Sequence, residues 1–218
     1  MKNIPRIYVD EKIEIGKHIS ISKETLHYLQ KVMRTDNCII FNNGEEFEAN
    51  LIPNPSFLIP VSPTGRIDPS NNLALAFAPV KKTDDMLNMA TQMGVAKLQP
   101  VITARTVARH INWKRIEKII IEAAEQSGRN SVPELLPPIE FADLDKANLI
   151  FADERAARGR EFEKPPAVAT VILIGPEGGF SDAEFDALDA AGAIGMSLGK
   201  TILRAEVAAV AALARTLK

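Results

Sequence analysis

The stretch SLGKTILRAE, residues 197–206, sets a glycine, a lysine and a threonine together just before a segment that reads as a helix. A phosphate-binding P-loop uses such residues: backbone N–H groups wrap the phosphates, the lysine reaches them and the hydroxyl holds a metal ion. That chemistry needs G-x-x-x-x-G-K-[ST], so the first glycine should stand at 194. The chain has Ile194 there, and Gly195 comes one place too late. The apolar run AIGMSLG also puts a strand where the phosphate loop should lie, and the helix begins only after Ile202 and Leu203. The P-loop fails on spacing. The dinucleotide string G-x-G-x-x-G is absent from the chain.

A second glycine cluster, GPEGGF (175–180), ends an earlier apolar run. Its proline and the carboxylate of Glu177 make a poor phosphate cradle, because a carboxylate repels phosphate and tolerates a cation. Glycine at a strand end lets the backbone approach a ligand closely. With Leu173, Leu198, Ile202 and Leu203 as apolar flanks, two such loops suit an adenine or a nucleoside. S-adenosylmethionine, with an adenine, a sulfonium and no phosphate, fits that description. A third polar strand end, FADER (151–155), offers Asp153 and Glu154 either to a ribose or to the fold itself.

These loops need a scaffold that gathers strand ends. Residues 73–79, 97–102, 148–152, 170–175 and 194–199 are short apolar runs. Helical patterns fall between or after them at 83–93, 113–127, 182–191 and 204–217. Strands alternating with helices predict an α/β fold, a mostly parallel sheet with helices on both faces, whose ligands lie beyond the carboxyl ends of the strands. Ser181 and Glu184 form an S-x-x-E capping box directly after GPEGGF, and Gly192 marks the end of that helix. The alanine-rich last helix is expected to present Leu203, Val207, Val210, Ala214 and Leu217 along one face. Its small residues would allow close approach to its own sheet or to a partner subunit.

The first 70 residues read differently. RIYVD, CIIFNNGEEFEANLI and FLIPVS are strand-like, Asn43-Gly44 is a hairpin signal, and a helix starts at Ser22 with Leu26, Leu29 and Met33 on one face. The stretch 62–72, SPTGRIDPSNN, is the expected linker. The domains expected are thus 1–70 and 71–218.

Composition bounds the rest. Of 218 residues, 46% are hydrophobic and 25% charged, as in ordinary soluble globular proteins, and the net charge is −2. No apolar run is long enough for a membrane span, the N-terminus lacks a signal-peptide core, and no Cys/His cluster offers a metal site. Cys38 is the single cysteine, which points to a reducing cytoplasm. The charge is uneven: residues 81–130 carry 9 basic and 5 acidic side chains, against 9 and 14 in 131–218. Such a basic block could contact phosphates or be a solvated helix face.

The two glycine segments also carry a resemblance. IGPEGGFSDAE (174–184) and LGKTILRAEVAAVAAL (198–213) resemble the two signature motifs of the RsmE family, which methylates N3 of a uridine in 16S ribosomal RNA. PRIYV (5–9) and HYLQKVMR (27–34) resemble the family's PUA-like RNA-binding domain. ATQMGVAKLQPVITARTV (90–107) and EAAEQSGRNSVPEL (122–135) match as well. The resemblance implies a SPOUT fold whose C-terminal part forms a deep trefoil knot. Knots are rare, and periodicity could not have predicted one. It further implies a homodimer, a 16S rRNA or small-subunit substrate, and S-adenosylmethionine as cofactor. Met89 and Gln92 depart from the Lys and Glu that the family often carries there.

Carried onto this chain, the resemblance places the cofactor on backbone groups near Gly175, Gly178, Gly195, Ser197, Leu198 and Gly199. Leu173, Ile202 and Leu203 would lie against the adenine. Glu177 would face the cationic end of the cofactor or accept N–H bonds in its own turn. Arg204 would stabilise the uracil anion or grip a phosphate, or else pair with Glu206 or a partner subunit. Glu206 would assist proton removal or anchor its helix. RNA contacts fall to Arg6 and Arg34 and to Arg105, Arg109 and Arg129, each of which could equally be an ordinary surface arginine. A non-catalytic RNA-binding assembly factor that keeps the fold is the alternative.

Overall fold

The computed structural model describes residues 4–108, 111–159 and 171–216. Two compact units form, one from residues up to Ser70 with Ile121–Val132, the other from Asn71–Ile120 with Pro133 onward.

The first unit is a five-stranded sheet. Strand β1 (Arg6–Tyr8) runs parallel to β3 (Asn37–Asn42), and β3, β4 (Glu45–Pro53) and β5 (Ser56–Ile67) form an antiparallel meander that β2 (Ile19–Ser20) closes at the far edge. Asn43 and Gly44 both take positive φ, 49° and 87°, as a two-residue hairpin turn requires. Helix α1 (Lys23–His27) starts at Ser22, whose hydroxyl accepts the Thr25 N–H at 3.0 Å, and continues as a π-turn over Tyr28–Met33. Ile7, Ile19, Leu29, Ile40, Leu51 and Leu58 lie in its core.

Two expectations change here. The stretch 62–72 is not a linker through most of its length, because β5 extends to Ile67, pairing Pro63 with Phe47 and Ile67 with Glu45. Turn-forming residues sit in a strand because the neighbouring strand supplies hydrogen bonds, and a shift in register between Glu45 and Phe47 takes up Gly65. The other concerns residues 121–132, whose polar groups are tied into this unit. The Arg6 guanidinium contacts the Glu46 carboxylate and donates to the Arg129 carbonyl at 2.9 Å and to Asn130 Oδ1 at 2.5 Å. Asp68 accepts the Asn130 N–H at 2.8 Å and the Ser131 hydroxyl at 2.9 Å. Burial alone would raise the Glu46 carboxyl, but hydrogen bonds from Arg6 and Thr64 and the charges of Arg6 and Arg66 outweigh it and hold it below the usual carboxylate range.

The second unit is an α/β layer. Its strands are β6 (Ala74–Phe77), β7 (Lys97–Ile102), β8 (Glu134–Leu135), β9 (Ile139–Glu140), β10 (Leu149–Ala152), β11 (Val171–Ile174) and β12 (Ile194–Met196). They lie in the order β12-β10-β11-β6-β7-β8, with β9 also pairing with β7, and every pairing is parallel. All four residues of β6 are buried, as in a parallel strand covered on both faces. The helices are α2 (Thr83–Gln92), α4 (Asp182–Ala190), α5 (Ala205–Thr216) and the start of α3 (Trp113–Ser127), whose residues from Ile121 on belong to the first unit. Helix α4 carries the expected reciprocal capping box, and Gly192 follows its end at φ 74°. Helix α5 buries a different face from the one expected. Its inward stripe is Ala205, Ala208, Ala209, Ala212 and Leu213, while Val207 is 47% exposed and Ala214 lies outside. The helix packs against α2, β10 and β11 through a stripe of four alanines and Leu213, whose mostly methyl-sized side chains allow a close approach, and Val207 is turned away. Leu217 lies outside the described residues.

Candidate cofactor cavity at the strand ends

Parallel pairing aims the carboxyl ends of β6, β10, β11 and β12 the same way, and the four loops that follow enclose a cavity of about 460 Å³. That is the size range of small-ligand sites, and the topological position is where open α/β sheets hold them.

The loop after β11 is a built wall. A Cβ on Gly175 would stand 2.9 Å from the Phe180 ring, and at Gly179, φ +69°, the Glu154 carboxylate occupies the space a Cβ would need. Both glycines are therefore demanded by packing. The Gly179 N–H bonds the Pro176 carbonyl at 2.9 Å, and from outside the turn Arg105 Nη1 donates to the carbonyls of Gly178 at 2.9 Å and Phe180 at 3.1 Å. Glu184, 7% exposed, completes the clamp. One of its oxygens accepts the Ala104 N–H at 2.8 Å, and the other accepts the Ser181 N–H at 2.8 Å and hydroxyl at 2.9 Å.

The loop after β10 forms the floor. Asp153, 3% exposed, lines the cavity, but its carboxylate is held by Arg155 Nε at 2.9 and 3.0 Å and Nη2 at 2.6 Å. Arg155 reaches on to Asp189 and lies 4.1 Å over the Phe185 ring. Burial works against the charge on Arg155, yet its bonds to Asp153 and Asp189 outweigh it and raise its pKa above the ordinary arginine value. Asp153 is thus a structural residue.

The loop after β12 is open by contrast. Gly199 has φ 123° and donates its N–H to Ser197 Oγ at 3.3 Å, and Arg215 holds the Ser197 carbonyl at 3.0 Å. From 200 to 203 no backbone hydrogen bond joins the loop to another segment among the described residues. Leu198 and Leu203 turn apolar surface to the cavity, and Ile202 is 64% exposed at its rim.

Of the residues expected around a cofactor, Gly175, Glu177, Leu198, Gly199, Ile202 and Leu203 line the cavity, together with Arg204 and Glu206. Four do not. Leu173 is fully buried in the apolar cluster with Phe151 and Phe180, Gly178 gives its carbonyl to Arg105, Gly195 pairs with Phe151 inside β12, and Ser197 braces the turn. Arg204, Glu206 and Glu177 make no ion pair among the described residues, so Arg204 and Glu206 are not partners of one another.

The arginines expected on RNA separate into three groups. Arg34 is exposed at the end of the π-turn. Arg6, Arg105 and Arg129 have internal bonds: Arg6 on Glu46 and Asn130, Arg105 on the glycine turn, and Arg129 on the Ser131 hydroxyl at 3.1 Å. Arg109 lies outside the described residues. Lys81 and Lys82, the first members of the basic block 81–130, line the cavity as well, as does Thr201. The signal for Lys81 was available, since it closes the apolar run 73–79 as the glycines close theirs.

The chemistry of the lining fits S-adenosylmethionine. Apolar surface from Leu198 and Leu203 and free backbone of 200–203 suit an adenosine, and Glu177 and Glu206 are carboxylates that a cationic ligand neutralises and a polyphosphate would not.

Residues 68–217 match a family described as an RNA methyltransferase domain. The ribosomal RNA small subunit methyltransferase E of Rickettsia conorii is 31% identical over 96% of this chain and 93% of its own length. That of Mesomycoplasma hyopneumoniae is 30% identical over 98% and 99%. Among solved structures, the ribosomal RNA small subunit methyltransferase E of Neisseria gonorrhoeae bound to S-adenosyl methionine superposes with a TM-score of 0.82 at 28% identity. It covers 97% of this chain, which covers 96% of it.

Proposed function

The chain belongs to the ribosomal RNA small subunit methyltransferase E family, and from that premise we propose that it methylates N3 of a uridine in 16S ribosomal RNA with S-adenosylmethionine as donor. The observation that carries the reading is the cavity at four strand ends. There a rigid glycine wall, an open apolar wall and an arginine with no ion pair among the described residues meet.

The cofactor supplies a methyl carbon on a sulfonium, to which N3 bonds as the carbon–sulfur bond breaks and its electron pair stays on sulfur. The chain's own residues do the rest by positioning. Backbone groups at Gly175, Leu198 and Gly199 hold the adenosine, with Leu203 and Ile202 against the base. Glu177 faces the cationic end. Arg204, without an ion pair among the described residues, stabilises the negative charge that the uracil ring carries once the N3 proton has left. Glu206, in the first turn of α5, receives that proton or relays it to water.

The finer architecture is part of the same proposal. The chain leaves β12 at one edge of the sheet and returns as α5 against β10 and β11, a path that supports the trefoil knot. Residues 1–70 act as a PUA-like RNA-binding domain with Arg34 as a contact, and 71–218 as the methyltransferase domain. Val207, exposed on α5, supports a homodimer through that helix. The enzyme works in the cytoplasm, on 16S rRNA or the small subunit.

The test is transfer of labelled methyl to small subunits and to naked 16S rRNA, with nucleosides identified by mass spectrometry. We expect 3-methyluridine, and a rate ~10²–10³-fold lower for Arg204→Ala with unchanged cofactor affinity. Cofactor binding without transfer to any substrate would instead mark a non-catalytic RNA-binding factor.

A further inference from the structure

The turn after β6 faces the cavity and belongs to neither glycine motif. Its geometry is closed by a buried side chain: the Thr83 hydroxyl, 4% exposed, donates to the Val80 carbonyl at 2.8 Å and accepts the Val80 N–H at 2.9 Å. The Thr83 N–H bonds the same carbonyl at 3.2 Å. A turn so pinned presents Lys81 and Lys82 from fixed backbone positions. Their partners then distinguish them. Both line the cavity that Arg204 also lines, but the Lys82 ammonium lies 3.0 Å from the Asp85 carboxylate, whereas Lys81 has no acidic or hydrogen-bond partner among the described residues.

Two free cations do not serve a sulfonium ligand, which they repel. They do suit an anion, and the reaction proposed above makes one when the uracil N3 proton leaves to Glu206 or through it to water and charge spreads over N3, O2 and O4. We propose that Lys81 is a catalytic residue that shares with Arg204 the stabilisation of this anion, its ammonium donating to a uracil carbonyl oxygen. The inference rests on the proposed uridine methylation. It assigns to the β6 turn the acceptor base and to the two glycine loops the cofactor.

The consequence is a pH signature. A cation beside the ring favours the ionised base, so N3 ionises at lower pH with the lysine present than without it. Single-turnover rates on small subunits, followed against pH for the full-length protein, should rise with pH to a plateau. In Lys81→Met the rising limb should move up by about one unit or more, with a rate near neutrality ~10–100-fold lower. Lys81→Arg should recover most of the rate, Lys82→Met should behave as wild type, and calorimetry should find cofactor affinity unchanged in all three. An unshifted limb in Lys81→Met would overturn the assignment. So would a rate loss accounted for by weaker cofactor binding, which would put the ammonium on the cofactor's carboxylate. Absence of transfer by the wild-type protein is a separate result that removes the proposed function itself.

Discussion

The two glycine loops of the cavity differ in what holds them. The turn after β11 is fastened on several sides: the Phe180 ring fits under Gly175, Glu154 fills the place of a side chain at Gly179, Arg105 clamps it from the β7–α3 connection, and Glu184 at the start of α4 accepts the Ala104 N–H from that same connection. The loop after β12 has two anchors near Ser197 and, among the described residues, no backbone hydrogen bond to another segment from 200 to 203. A preorganised wall loses little entropy when a ligand arrives, while a loop free of internal bonds can offer its backbone to that ligand. The first loop therefore sets the shape of the site, and the second completes it on binding.

The comparison breaks first at Gly179. Valine there needs both a strained positive φ and the room the Glu154 carboxylate occupies, so cofactor affinity measured by calorimetry should fall by ~100-fold or more. If the loops differ as described, hydrogen exchange should separate them. Saturating cofactor should slow exchange across 200–203 by about 10- to 100-fold and leave 176–180 nearly unchanged. Equal protection of both loops would erase the distinction. Arg105→Ala frees two carbonyls of the rigid turn, and we expect cofactor affinity to weaken by about 10-fold, the worth of a charged hydrogen bond, with RNA affinity unaltered. Loss of RNA affinity at constant cofactor affinity would return Arg105 to the role its sequence context suggested. The smallest effect is on the open loop: Ile202→Ala should cost a few-fold in affinity, roughly the worth of a partly buried methylene or two, and Lys200→Ala should cost nothing measurable.

Helix α5 shows why sequence patterning reached only part of this. Its alanines and valines alternate so closely that several faces look apolar, and the contact with α2 and the sheet, rather than periodicity, selects the alanine stripe. The segment 62–72 shows the same limit for strands, since a partner strand overrides turn composition. Arg6 and Arg105 looked like surface cations because their acceptors lie 124 and 73 residues away, at Asn130 and Gly178.

By itself the sequence determined what depends on neighbours a few positions apart. The Asn43-Gly44 hairpin, the Ser181–Glu184 capping box and the apolar runs that became β6, β7, β10 and β11 all follow from local sterics and hydrogen bonds. It also excluded a P-loop, because that cradle has a strict spacing. Tertiary structure alone decided which strand ends share a cavity, that Lys81 and Arg204 both line it, and that residues 121–132 join the first unit. Those facts depend on groups far apart in the chain that meet only when burial and pairing have closed the fold, and no local pattern encodes such a meeting.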